Sequence, residues 1–177
     1  MKLYDTIRSA GGGEIVGALA KYADISRDQA EQALRTLLPE LGNAIRRTGE
    51  SRTGAPAVHA AMQDERYARY LEHPAALREP AAAADGERVL AEVLDEEQRD
   101  AIIRDAAAAI DADEATVRKL LPLVATLSMA AIGRQLREES PEISWFGTRP
   151  DDRFGAPLLN ALAALFEQGE ERSKKGG

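Results

Sequence analysis

The stretch "LLPLVATLSMAAIG", residues 120–133, decides the fold. An amphipathic surface helix shows a polar stripe. This segment shows none, because Leu120, Leu121, Leu123, Val124, Ala125, Leu127, Met129, Ala130, Ala131 and Ile132 go all the way round. Only Thr126 and Ser128 interrupt, and both are expected to bond back to carbonyls of their own helix. Such a helix is either a buried central helix or half of an oligomer interface. The run is bounded by Lys119 and Arg134. It is shorter than the roughly 20 residues of a membrane span. Leu121→Asp should therefore be severe, whereas Glu31→Lys should be nearly neutral.

Working outward, the chain reads as helix nearly throughout. Alanine, leucine, glutamate, glutamine and arginine dominate, and all favour helix. A short helix at about 2–9 meets a glycine break at Gly11-Gly12-Gly13, and a second helix covers about 14–23. A third begins at Ser26, where Ser26 and Gln29 form a capping box. Its apolar positions, from Ala30 through Leu34 and Leu37 to Ile45, fall on one face of a 3.6-residue period. Pro39 should kink or break it, and Pro122 should kink the helix that holds the opening stretch.

Residues 48–55 read as a loop, Pro56 as the start of a helix to about 72, and His73-Pro74 as its stop. "AALREPAAAADG" reads as a connector. Helices follow at about 86–94 and 96–110, and another runs from the Asp111–Glu114 capping pair to about 138. Residues 139–156 are irregular, a last helix covers about 157–168, and 169–177 form a disordered tail.

An internal repeat is visible. "ADISRDQAEQALRTLLPEL" resembles "AIDADEATVRKLLPLVATL". Matching Ser26 to Asp113 is one register. Matching the two "LLP" triplets is another, one helical turn away, and both keep the same buried face. The reading is one all-α, multihelical domain over 1–168, with two related helical-hairpin repeats, about 14–47 and 96–138, around a buried central helix.

Composition removes whole classes of function. The 177 residues include no cysteine, which excludes disulfides, thiolate metal sites and cysteine nucleophiles. The net charge of -7 disfavours a general attraction to phosphates or anionic lipid. "MKLYDTIRSAGGG" holds no apolar run of the kind that directs secretion, so a cytoplasmic location is expected.

Two resemblances add to this. "MKLYDTIRSAGGGEIVGALAKYADISRDQAEQALRTLLPEL" and "DGERVLAEVLDEEQRDAIIRDAAAAIDADEATVRKLLPLVATLSMAAIGRQL" resemble the YidB-like bacterial family of unknown function, over about residues 1–137. The resemblance implies a multihelical fold with repeated halves and supplies no catalytic residues. Arg88, Ala91 and Asp95 stand where that family has glycines, and residues 57–80 are less glycine-rich. Separately, "EIVGALAKYADISRDQAEQALRTLLPELGNAI" is similar to the N-terminal hairpin of the histone-like HU proteins. That likeness implies a packing unit of the kind that forms a dimer core, and no DNA-gripping arm follows it.

Both hairpins also fit a loose helix-turn-helix pattern, which makes DNA binding the alternative reading. A reader helix must offer polar and basic side chains to bases and phosphates. Residues 85–115 instead carry eleven acids against three bases, Arg88, Arg99 and Arg104. Leu37 and Leu38 of the first copy belong to a core. Arg46, Arg47 and Arg52 form a candidate anion site, though cations at a helix C-terminus need no ligand. His59 and His73, with Asp64 and Glu65 between them, lack metal-ligand spacing. Glu96-Glu97 and Asp151-Asp152 are sequence neighbours, which point apart on a helix.

No catalytic, cofactor-binding or metal residue is expected, and no enzymatic activity. Trp145, Phe146 and Phe154 either cover the core or form a partner patch. The functional expectation is a non-enzymatic structural or protein-interaction module with a protein partner or self-association, without nucleic acid or membrane.

Overall fold

A computed structural model of the chain describes residues 2–139. It contains eight α-helices and, among the described residues, no strand. They are α1 (Lys2–Ser9), α2 (Ile15–Ala23), α3 (Arg27–Glu50), α4 (Ala55–Gln63), α5 (Ala68–Glu72), α6 (Pro80–Val93), α7 (Glu96–Ile110) and α8 (Glu114–Glu139). Short 3-10 turns fill Ala10–Gly13, Glu65–Tyr67 and Pro74–Arg78. Residues 140–177, which include the expected helix at 157–168 and the tail, lie outside the described residues.

Helix α8 is the axis of the fold. Residues 120–133 are buried without interruption, and each of the other seven helices touches α8. The apolar residues of all eight helices form one cluster. By length and composition alone, Glu114–Glu138 would suffice to cross a membrane, because the helix extends well past its uncharged run. Its most apolar window is 78% buried inside the protein, so the helices around it already account for its apolar faces. Ser128 Oγ donates to the Val124 carbonyl at 2.7 Å, as expected within the helix. Thr126 departs from expectation. Its Oγ1 donates at 2.7 Å to the carbonyl of Ala82 in α6, and so ties two buried helices together.

Both helix-internal prolines leave their helices unbroken, so Pro39 does not end α3. Proline removes one donor, to the carbonyl four residues back. Those carbonyls belong to Arg35 and Arg118, both exposed residues.

The connector reading of "AALREPAAAADG" is corrected. Pro80 sits at the first position of α6, and the alanines continue the helix through Gly86. Gly86 is a packing site inside the helix, not the end of a connector, because α6 presses there against the backbone of α8 at Pro122. The loop expected at 48–55 shrinks, since α3 continues to Glu50. The expected helix to residue 72 divides at Asp64, whose extended backbone and side chain cap the next turn. Asp111 does not cap α8. It ends α7 in the left-handed region, and Asp113 Oδ1 accepts from the Thr116 amide at 2.6 Å.

The capping box of α3 is present, with Gln29 N donating to Ser26 Oγ at 3.1 Å and Ser26 N to Gln29 Oε1 at 3.1 Å. α7 carries a second box, Asp95 with Gln98. Gly11 has φ of 55°, a conformation that suits glycine, and a Cβ there would also stand 2.3 Å from Pro74 Cγ.

Glu31 is not the indifferent surface position expected from the sequence. It accepts from the Tyr4 hydroxyl at 2.5 Å and from Arg35 Nη2 at 3.1 Å. Reversing its charge would set an ammonium beside Arg35 and Arg8.

Candidate functional site

Two polar places stand out. One is a buried network around Asp85, and the other is a groove between α3 and α7.

Asp85 lies on the inward stripe of α6 with Ala82, Val89, Leu90 and Val93, and is 6% exposed. A carboxylate that deep needs partners. Tyr70 donates to Oδ2 at 2.8 Å, and Arg88 Nη1 donates to Oδ1 at 3.3 Å. Arg66 Nη1 stands 3.9 Å from the same oxygen, and the Tyr67 hydroxyl donates to the Asp85 carbonyl at 3.5 Å. Arg66 also clasps Asp64, its Nε donating to Oδ2 at 2.8 Å. That bond holds the Asp64 carboxyl below the usual range.

Burial, then the bond to Asp85, pushes the Tyr70 hydroxyl up to about 12. Burial, then the Asp85 charge, raises Tyr67 as well. A phenol held this firmly protonated is a poor base or nucleophile near neutrality. Chemically, the network is a staple between the 64–70 segment and α6.

The groove is open. α3 and α7 run antiparallel, with the Gln29 amide near the start of α3 donating to the Ile110 and Asp111 carbonyls at 3.4 and 3.3 Å. Between them lies a hollow of about 300 Å³, lined by Thr36, Leu37, Glu40 and Arg47 from α3 and by Gln98, Ala101, Ile102, Asp105 and Ala106 from α7. A second hollow of about 400 Å³ continues from it, sharing Arg47 and Gln98 and adding Thr48, Ser51, Thr53, Gly54, Glu92 and Val93. Its Ser51 hydroxyl is already engaged, accepting from the Gly54 amide at 2.9 Å and donating to the Thr48 carbonyl at 2.8 Å. Leu37 and Ala106 form a buried floor, and Ala101 and Ile102 are half-buried.

The residues singled out from sequence fall as follows. Arg46 is engaged with Glu50 at 2.9 Å, Arg47 lines the groove, and Arg52 is exposed in the turn after α3. The three thus have separate surroundings. His59 is half-buried on α4, and His73 is exposed after α5. Among the described residues, no group of three histidine or acidic side chains could hold a metal ion. Glu96 and Glu97 are exposed in the first turn of α7, where the helix dipole favours them. Asp151-Asp152 and the aromatic trio Trp145, Phe146 and Phe154 lie outside the described residues.

In both helix-turn-helix candidates the second helix turns its apolar face into the core, with Leu37 and Leu38 of α3 and Leu120 and Leu121 of α8 fully buried. The two turns share one hydrogen-bond scheme. Asp24 and Ile25 amides donate to Ala20, and Asp111 and Ala112 amides donate to Ala107. Ser26 then caps Gln29 as Asp113 caps Thr116.

Asp85, Tyr67 and Tyr70 are the residues that sequence reasoning missed. A signal existed. Asp85 is the one carboxylate on the apolar stripe of α6, and a charged residue at a core position asks for a partner. Starting that helix at 86 hid the stripe.

The model for bacterial proteins of unknown function (DUF937) matches residues 5–135, and the chain belongs to that family. No curated protein and no solved structure matches the chain.

Proposed function

We propose that this member of the DUF937 family is a non-enzymatic structural or protein-interaction module whose contact surface is the α3–α7 groove. The observation that carries the reading is the groove itself, where half-buried Ala101 and Ile102 lie above a buried floor and are framed by polar side chains. That arrangement suits a helix or peptide laid between two helices. The Asp85 network supports the reading from the other side, because its carboxylate oxygens accept from Tyr70 and Arg88 and the Tyr67 hydroxyl is bound to the Asp85 backbone carbonyl. It pins helices and leaves no paired nucleophile and base.

The test is a photo-crosslinking residue at Ala101 in cells of the native host, with one at exposed Glu72 as control. Discrete adducts from position 101 and not from 72 are the expected result. Equal labelling at both positions counts against the groove. Micromolar affinity of the purified chain for duplex DNA, falling steeply with added salt, would overturn the reading and put the helix-turn-helix alternative in its place.

The two hairpins, α2–α3 and α7–α8, are read here as related halves. Their matching turns support this in the register that pairs Ser26 with Asp113. In that register Pro39 pairs with Thr126, and the prolines fall one helical turn apart.

A further inference from the structure

We infer that the α3–α7 groove receives a basic amphipathic helix from a partner protein. This rests on the reading of the domain as an interaction module and adds the chemistry of the partner. From Thr36 to Arg47 the α3 wall runs about 16 Å at 1.5 Å per residue, room for three turns of a docked helix. Ala101 and Ile102, both half-buried, offer the apolar surface that such a helix covers.

Charge selects the occupant. Three carboxylates line the two hollows, Glu40, Glu92 and Asp105, against one guanidinium, Arg47. Among the described residues, no cation pairs with those three carboxylates. Arg47 offsets only part of their charge, and the net charge of -7 adds to what is left. A helix with Lys or Arg beside an apolar stripe satisfies both the floor and the rim. A second copy of this chain brings the same negative charge. A polyanion or an anionic lipid surface meets the carboxylates and gains nothing from the floor.

The experiment uses the full chain and two fluorescein-labelled helical probes, one of leucine and lysine, one of leucine and glutamate in the same pattern. The expected result is anisotropy binding of the lysine probe alone. Glu40→Lys with Asp105→Lys should weaken it on the order of tenfold or more. Ile102→Asp should weaken it likewise. Glu40 and Asp105 are exposed and Ile102 is half-buried, and far-UV circular dichroism melts check that each variant folds. Glu65→Lys with Glu72→Lys, exposed and outside the groove, changes net charge equally and should leave binding within about twofold.

Equal loss from both double reversals would overturn the proposal, because the probe would then be reading net charge alone. Binding of the glutamate probe, or no binding of the lysine probe, would overturn it as well. Adducts from position 101 in the host with no lysine-probe binding would sink the partner chemistry and leave the module reading standing. Absence of both would remove the two together.

Discussion

Gly86 of α6 lies directly against the Pro122 backbone of α8. A Cβ at Gly86 would stand 1.8 Å from the Pro122 carbonyl oxygen and 2.4 Å from its carbonyl carbon. Neither atom can swing aside as a side chain does. Gly86→Ala should therefore push two core helices apart and cost about 3 kcal/mol, at the upper end of overpacking effects. Urea unfolding measures it. Ala84→Gly, exposed on the same helix, should cost only about 1 kcal/mol through helix propensity. Equal losses in the two variants would show that the helices are not in contact at Gly86.

Leu121→Asp is expected to unfold the domain or to lower its stability by about 4 kcal/mol, since it buries an unpaired carboxylate. Leu121 is 0% exposed. Glu72→Lys is the proper control, because Glu31 is bound to Tyr4 and Arg35. A Leu121→Asp variant that melts like the parent would mean α8 is not the core.

The Tyr70–Asp85 bond should show as thermodynamic coupling. In a double-mutant cycle of Tyr70→Phe and Asp85→Asn, the coupling energy should be roughly 1.5–3 kcal/mol, the range of hydrogen bonds to charged groups. Values near zero would mean that each group finds another partner.

Alkaline pH gives an independent view of the same bond. The Tyr70 hydroxyl is pushed up to about 12 in the fold. An unfolded tyrosine titrates near 10. The raised value favours the protonated phenol, so its contribution is complete below pH ~10 and fades as pH rises toward the folded value. Stability should fall across that window, and Tyr70→Phe should flatten the fall. Tyrosinate absorbance followed alongside circular dichroism decides it. A full tyrosinate signal at pH ~10 with the helices intact would contradict the burial of Tyr70.

Asp24 and Asp111 both hold positive φ, 56° and 51°. Glycine occupies that region without the penalty a side chain incurs. Asp24→Gly and Asp111→Gly should each be neutral or stabilising by up to about 1 kcal/mol, and by similar amounts. Opposite signs in thermal melts would count against the hairpins being related halves.

The buried axis was legible because residues 120–133 leave no polar face to show to water. Ser26 and Gln29 declared the start of α3, since a capping box is a local device. What escaped depended on contacts between distant segments. Gly86 reads as the end of a connector until the α8 backbone is set against it. The apolar period tells which face of α7 is buried, not which helix covers it, so Glu40 and Asp105 gave no sign of sharing a groove. Asp85 was findable in principle from its place on an apolar stripe, and a misplaced helix start concealed it.

The helix that every other helix touches is also the last of the eight to be synthesised. Gln135 near its end donates to Thr6 near the start of the chain at 2.8 Å, and Thr126 donates back to Ala82. While the ribosome is still making α7, the inward faces of α1 to α7 have no central surface to close upon. The nascent chain must then carry its apolar faces exposed, a condition that invites chaperones and aggregation. Chains stalled with residues up to Asp113 outside the exit tunnel should be cut readily by protease. Chains with Glu139 outside should resist. Equal resistance at both lengths would mean that the first seven helices find a compact state without α8.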